Sequence, residues 1–184
     1  MYTFGVGDDI SAEYELIRVI GLRIYAFDPT PKTVEWMKTR ELPGSLSFKP
    51  FGIADYDGVA HFLPPPEQSH VSHTMVPRAD RSGQSVDLPV RRLRTFMEEC
   101  GHNRLDVLKM DIEGEEYSVI DDILSSQIEI DQILIEFHHR WPEIGLERTK
   151  RCVKQLREAG FRIFHISSTG EEYSFLHSRS VLKS

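Results

Sequence analysis

Short apolar runs alternate along the chain with segments whose apolar positions recur every three or four residues, the pattern of strands followed by helices. Tyr2 to Val6 is apolar and runs into a glycine turn, as a buried strand does. Ile10, Tyr14, Ile17 and Gly21 then recur at helical spacing, and Arg23 to Phe27 predicts a second strand ended by Asp28-Pro29. Thr30 stands as an N-cap with Pro31 at the first helical position, where its missing N–H leaves nothing unpaired. Val34 and Met37 give that helix an apolar side, and Pro43-Gly44 stops it. Leu46 to Ile53 predicts a third strand, with Asp57-Gly58 as a hairpin turn into Val59 to Leu63.

From Pro64 to Ser85 the chain is rich in Pro, Ser, His and Gln and has no period. It exceeds an ordinary connection and reads as a flexible loop or a functional flap. Val86 to Val90 then predicts a short extended segment before a helix from Leu93 to Cys100, capped by Gly101. Asp106 to Met110 predicts a strand, followed by Asp111-Ile112-Glu113-Gly114 and a helix with Tyr117, Ile120 and Leu124 on one face. Gln132 to Phe137 is apolar nearly throughout, as in a strand covered on both faces. Leu146, Thr149, Val153 and Leu156 mark a long helix ended by Gly160. Phe161 to Ile166 and Tyr173 to Leu176 are two last strands joined by a Thr169-Gly170 turn. This order predicts an α/β fold: a parallel sheet with one antiparallel strand near its edge. At 184 residues the chain is read as a single domain, 1–184, with 64–85 as its long loop.

Composition narrows the partners. A chain that is 40% hydrophobic and 28% charged suits a soluble globular domain. Its net charge of -7 argues against gripping nucleic acid, which needs a basic face. Arg91, Arg92 and Arg94 read as the solvated face of a helix start. Cys100 and Cys152 lie in helical segments without zinc spacing and read as reduced thiols. No apolar stretch approaches the roughly 20 residues that span a bilayer. The expectation is a cytoplasmic protein without membrane contact. Strand-like residues begin at Tyr2, so a targeting or anchoring segment ahead of this chain is compatible with the pattern.

In an open parallel sheet the ligand lies beyond the carboxyl ends of the strands. Gly5 and Gly7 follow the first strand, where backbone must turn tightly and approach a ligand. Asp28 ends the second, about twenty residues on, where an acid accepts hydrogen bonds from ribose hydroxyls. Together they predict an adenosine-containing cofactor, NAD or S-adenosyl-L-methionine (AdoMet). Two details favour AdoMet. Ile10 stands where the dinucleotide fingerprint places its third glycine, and Asp8 and Asp9 would repel a pyrophosphate at the helix start. The plainer reading of Asp8, Asp9 and Ser11 is that they merely cap the helix. Asp111, at the tip of a central strand, and Glu113 are candidates to touch cofactor or substrate, whereas the helix dipole fully accounts for Glu115 and Glu116. His138, at the next strand end, is a candidate base. His70 and His73 lie in the long loop without a ligand pattern, so no metal site is expected.

These pieces resemble the FkbM family of AdoMet-dependent methyltransferases. The matching stretches are Gly5-Val6-Gly7, Phe27-Asp28-Pro29, Gly52 to Gly58, Leu88 to Phe96, Asp106 to Glu116 and Ile135 to His138. The Leu108-Lys109-x-Asp111-x-Glu113-Gly114-x-Glu116 stretch is the most specific of them. The resemblance implies a Rossmann-like class I methyltransferase fold, a seven-stranded mostly parallel sheet with helices on both faces. It also implies AdoMet as cofactor and usually O-methylation. It puts Gly5 and Gly7 at the methionine end, Asp28 and Pro29 at the ribose, Ile53 and Ala54 at the adenine, and Asp111 at the active-site edge. Thr3 departs from the pattern, because methyltransferases of this fold commonly carry there an acid that holds the methionine ammonium. Asp8 or Glu13 is the expected substitute. Catalysis is assigned to Asp111, His138 and Glu113, with a small-molecule or glycan acceptor. The alternatives are a non-catalytic interaction domain, which Thr3 favours, and a nicotinamide oxidoreductase, which Ile10 and the Asp8-Asp9 pair oppose. Oligomeric state leaves no mark in the sequence.

Overall fold

The computed structural model describes residues 1–67, 71–78 and 83–181. Its elements in chain order are β1 (Tyr2–Phe4), α1 (Ser11–Ile20), β2 (Ile24–Phe27), α2 (Pro31–Lys38), β3 (Leu46–Lys49), β4 (Gly52–Ile53), β5 (Gly58–Phe62) and β6 (Val86–Arg91). Then follow α3 (Leu93–Cys100), β7 (Arg104–Met110), α4 (Glu116–Ser125), β8 (Glu129–Glu136), α5 (Leu146–Glu158), β9 (Phe161–Ile166), β10 (Glu172–His177) and α6 (Ser178–Val181). Seven strands form the main sheet in the order β3-β2-β1-β7-β8-β10-β9. β10 is its antiparallel strand, inserted between β8 and β9. This is the predicted doubly wound α/β architecture.

Strand alternation divides the core between the two faces of the sheet. Tyr2, Phe4, Phe27, Leu108 and Met110 pack with Phe96 of α3, Ile120 of α4 and Leu156 of α5. Phe4 and Phe27 stack with ring centroids 4.6 Å apart, and Phe96 lies 4.4 Å from Phe27. The opposite face carries Ile24, Ala26 and Leu46 against Ile10 beside α1 and Met37 of α2. Cys152, buried on α5, contributes to the first face, whereas Leu146, expected on that stripe, is exposed at the first turn. Both cysteines are free thiols.

Two expectations about the middle of the chain fail. The predicted third strand, Leu46 to Ile53, is two elements. Pro50 has no N–H to donate, so pairing with β2 ends at Lys49, and Gly52–Ile53 joins a separate three-stranded sheet. In that sheet the order is β4-β6-β5, so the predicted hairpin between the third strand and Val59 to Leu63 does not form. β5 pairs antiparallel with β6 instead. Asp57 ties down the turn before it by accepting from Arg92 N–H (2.8 Å) and the Thr95 hydroxyl (2.8 Å). β6 accommodates Pro89 because β4 reaches only Val90 and Arg91, leaving no partner for the missing N–H.

Of the arginines read as a solvated face, Arg91 and Arg92 are half-buried in the fold, whereas Arg94 is exposed as expected. Arg92 forks onto Asp122 and Ser126 at the end of α4, Arg91 lies 4.3 Å over the Phe51 ring and pairs with Glu99, and Arg94 donates to the Ser126 carbonyl. Within the stretch read as a flexible loop or functional flap, segment 71–78 contacts the fold. Thr74 bridges to Leu63, and its hydroxyl donates to the Glu113 carbonyl at 2.5 Å. Among the described residues no helix is long and apolar enough to cross a membrane.

Candidate active site

The site follows from register. Phe4 is paired with Phe27 on one side and Met110 on the other, so Gly5, Asp28 and Asp111 leave their strands side by side. They open onto a cleft with a cavity volume of about 180 Å³. Gly5, with φ 78°, is indispensable to the arrangement: a Cβ there would lie 1.6 Å from the Asp111 carbonyl oxygen. Its N–H donates to Phe27 O (3.1 Å), while Asp111 N–H donates to Phe4 O (3.1 Å). The turn therefore knits three strand ends together.

Asp28 is held within this turn with 5% of its surface exposed. Oδ2 accepts from Gly7 N–H (3.1 Å), and Oδ1 accepts from Thr30 N–H (2.9 Å) and the Thr30 hydroxyl (2.6 Å). Thr30 stands at the N-cap of α2 as predicted, but its hydroxyl serves Asp28 and makes no capping bond. Gly52 is hemmed in, since a Cβ would meet Val90, Pro29 and Phe62 at 3.1–3.3 Å.

Of the residues singled out in the sequence, Gly5, Gly7, Asp8, Asp28, Pro29, Ile53, Asp111 and Glu113 line the cleft. Ala54, Glu13 and His138 stand behind its wall. Ala54 is buried and donates its N–H to Arg91 O (3.0 Å). Thr3 points to the face opposite Phe4, where its hydroxyl donates to Oε1 of buried Glu13 at 3.3 Å. The acid of α1 thus lies beside the position where the family carries one. His138 is set behind Asp111 and Glu113, its Nε2 3.7 Å and 3.8 Å from their carboxylates.

Sequence reasoning did not single out Thr30, Gly52 or Phe62 as cleft residues, whereas Val71, Ser72, His73 and Met75 reach the cleft from the stretch read as a flexible loop or functional flap. Gly52 lay within a stretch already matched to the family; the others carry no local signal. The larger omission is Glu116, attributed wholly to the helix dipole. It is fully buried, and its Oε1 accepts from Ile112 N–H (3.2 Å), Gly114 N–H (3.1 Å) and His138 Nδ1 (2.9 Å). His73 instead contacts its own loop, Nδ1 lying 2.9 Å from Val71 O, and His70 lies outside the described residues. Trp141, which follows the β8 end, is covered by the Arg78 guanidinium 3.8 Å above its ring.

The electrostatics of this end are strained. Burial pushes the Asp111 carboxyl up to about 6, against the attraction of His138 and Lys109. Burial alone would lower His138, but the Glu116 hydrogen bond and the charges of Glu116, Glu113 and Asp111 outweigh it and raise the imidazole to about 9. Burial, reinforced by Asp111, raises Glu136 to about 7.

Glycine turn, strand-end acid and cleft lie at the carboxyl ends of a parallel sheet, where doubly wound α/β folds place their ligand sites. The methyltransferase FkbM domain model matches residues 3–163, and the chain belongs to that family of methyltransferases. It is 23% identical over 175 residues to human (Homo sapiens) probable methyltransferase-like protein 24, covering 90% of this chain and 42% of that protein. The rat (Rattus norvegicus) protein of the same name is 31% identical over 85 residues, 41% of this chain and 23% of the relative. The chain thus spans less than half the length of the curated relatives it matches. The crystal structure of methyltransferase FkbM from Methylobacillus flagellatus KT shares the fold, with a TM-score of 0.56 at 13% identity over 96% of this chain and 43% of that one.

Proposed function

We propose that the chain is an AdoMet-dependent methyltransferase that methylates a hydroxyl of a small molecule or glycan. The observation that carries this reading is the Gly5–Gly7 turn closed onto Asp28, directly beside Asp111. Gly5 lets the backbone turn at the head of the cleft where any Cβ would strike the Asp111 carbonyl, and Oδ2 of Asp28, with a single internal bond, keeps a lone pair free to accept a ribose hydroxyl. AdoMet supplies an electrophilic methyl group on a positive sulfur, which suits a cleft edged by Asp8, Asp9, Asp28, Asp111 and Glu113. A pyrophosphate would meet the same acids unfavourably, which argues against a nicotinamide dinucleotide.

Asp111 is the candidate proton acceptor, because it faces the cleft whereas His138 lies behind it. An acceptor hydroxyl held against Asp111 gives its proton to that carboxylate as its oxygen bonds the methyl carbon and the carbon–sulfur bond breaks. The chain contributes mainly alignment and a preorganised base. Calorimetric titration with AdoMet and S-adenosylhomocysteine tests the reading first; methyl transfer from radiolabelled AdoMet to a hydroxyl-bearing acceptor tests the second half. Absence of AdoMet binding at millimolar concentration would sink it. The competing reading, a non-catalytic domain of the same fold, draws on Glu13 being turned onto Thr3 and away from the cleft. Binding without turnover across an acceptor panel would favour it.

A further inference from the structure

We propose that Asp111, Glu113 and His138 form a binding site for a divalent cation, with Glu116 fixing the imidazole that helps to hold it. One ligand atom from each of the three residues lies within 4.8 Å of the others. His138 Nε2 stands 3.7 Å from Asp111 Oδ1 and 3.8 Å from Glu113 Oε2, beyond hydrogen-bond distance of both. An ion with bonds of about 2.1 Å separates adjacent ligands by about 3.0 Å in an octahedron and about 3.4 Å in a tetrahedron. The two histidine–carboxylate gaps exceed these spacings by about 0.3–0.8 Å, and the carboxylate oxygens of Asp111 and Glu113, within 4.8 Å of each other, close by up to about 1.8 Å through side-chain rotation. A direct imidazole–carboxylate hydrogen bond would be shorter than what is seen.

The orientation of His138 points to a ligand independently of the acids. The residue is only 8% exposed, and its Nδ1 donates to Glu116 Oε1 at 2.9 Å. That bond places the other nitrogen, which makes no hydrogen bond to the described residues, facing Asp111 and Glu113. A buried carboxylate fixing one ring nitrogen while the other faces a ligand is the supporting arrangement of metal-bound histidines. Glu116 is itself fixed by the N–H groups of Ile112 and Gly114. Glu113 adopts a left-handed backbone, φ 57°, unusual for a residue with a side chain, and its carbonyl is held by the Thr74 hydroxyl. Three segments of the chain are thus committed to presenting these groups.

The site also has an open side. Asp111 and Glu113 line the cleft and His138 lies behind them, so an ion here has protein ligands at its back and free positions towards the cleft. One nitrogen and two carboxylates suit a first-row divalent ion better than Ca²⁺ or Mg²⁺, and Mn²⁺ is the natural probe. Binding of the ion does not depend on the methyl-transfer reading. Its role does: within that reading the ion would hold the acceptor oxygen beside Asp111 and ease loss of its proton.

The experiment titrates Mn²⁺ into the chelator-treated chain, following loss of the free-ion electron paramagnetic resonance signal. One ion per chain is expected, with affinity falling at least about 10-fold in Glu113→Gln and His138→Asn, and about 10- to 100-fold in Glu116→Gln. Glu147→Gln, an exposed acid on α5, should bind as the parent does. Circular dichroism checks that each variant is folded. If the buried substitutions do not fold, Glu113→Gln carries the comparison, since its side chain is 19% exposed at the cleft. No saturable binding by the parent, or equal affinity in the parent and Glu113→Gln, overturns the site. The same samples are titrated with S-adenosylhomocysteine. Loss of that binding alone defeats the cofactor reading, and loss of Mn²⁺ binding alone defeats the cation site.

Discussion

Asp28 and Glu116 are both nearly inaccessible carboxylates, the first lining the cleft and the second buried behind it, yet their surroundings differ. Asp28 divides its two oxygens among three neutral donors contributed by Gly7 and Thr30. Glu116 crowds three donors onto Oε1, leaves Oε2 buried without a hydrogen-bond partner among the described residues, and sits among two further acids and one histidine. The β1–β2 end is complete by itself. The β7–β8 end concentrates charge and leaves hydrogen-bonding capacity unmet, at a free-energy cost that a folded domain tolerates only where function uses it. Neutral backbone donors make a rigid grip; clustered ionisable groups make a reactive or ligand-hungry one.

The comparison can be broken most forcefully at its hinge. Gly5→Ala drives a Cβ into the Asp111 carbonyl and forces a left-handed residue to carry a side chain. It should destabilise by more than about 4 kcal/mol, seen as a large fall in the urea midpoint, with cofactor binding lost. Unchanged unfolding would mean that the three strand ends are not knit as described. Next in size, Asp28→Ala strips three bonds from the complete end. It should cost about 2 kcal/mol in denaturant unfolding and weaken S-adenosylhomocysteine binding by more than 10-fold, about 1.4 kcal/mol. Loss of stability without loss of affinity would confine Asp28 to a scaffolding part.

A third test separates the ends by pH. The imidazole of His138 is raised from its ordinary 6.5 to about 9 in the folded chain, so between those values the native state holds a proton that the unfolded state has released. Stability from this group is therefore fully present below about pH 6.5 and lost as pH rises through about 9. Thermal unfolding in chelator should show this decline, and His138→Asn should flatten it. The smallest expected effect is at the wall over the charged end. Thr74→Val removes the hydroxyl that donates to the Glu113 carbonyl and accepts from Val76 N–H (3.0 Å). It should cost about 1 kcal/mol by urea unfolding and loosen Mn²⁺ binding more than nucleoside binding. The reverse order would show that 71–78 supports the grip instead.

Much of the complete end was legible, because its parts lie close in sequence to strand ends that hydrophobic patterning marks. Gly5, Gly7 and Asp28 were each visible as a turn or a strand-terminating acid. Glu116 shows why the other end was not. An acid at a helix start has a sufficient local explanation in the dipole, and nothing nearby signals a histidine 22 residues later. The break of the third strand was available in Pro50, but its apolar neighbours outweighed it, and only β6, more than thirty residues on, claimed Gly52–Ile53.

By itself, the sequence determined the order of strands and helices, the two-faced parallel sheet and the family, since these rest on periodicity, turn chemistry and contiguous motifs. The tertiary structure alone decided which strand ends become neighbours. Met110 pairs with Phe4 on one side and Ile135 on the other, and that register sets Asp111 beside Gly5 and brings His138 within reach of Glu113 and Glu116. Local preferences act over a few residues, whereas the choice of neighbouring strand is settled by burying the whole sheet between its helices. Asp111 stands where the two ends of the cleft meet, for that reason.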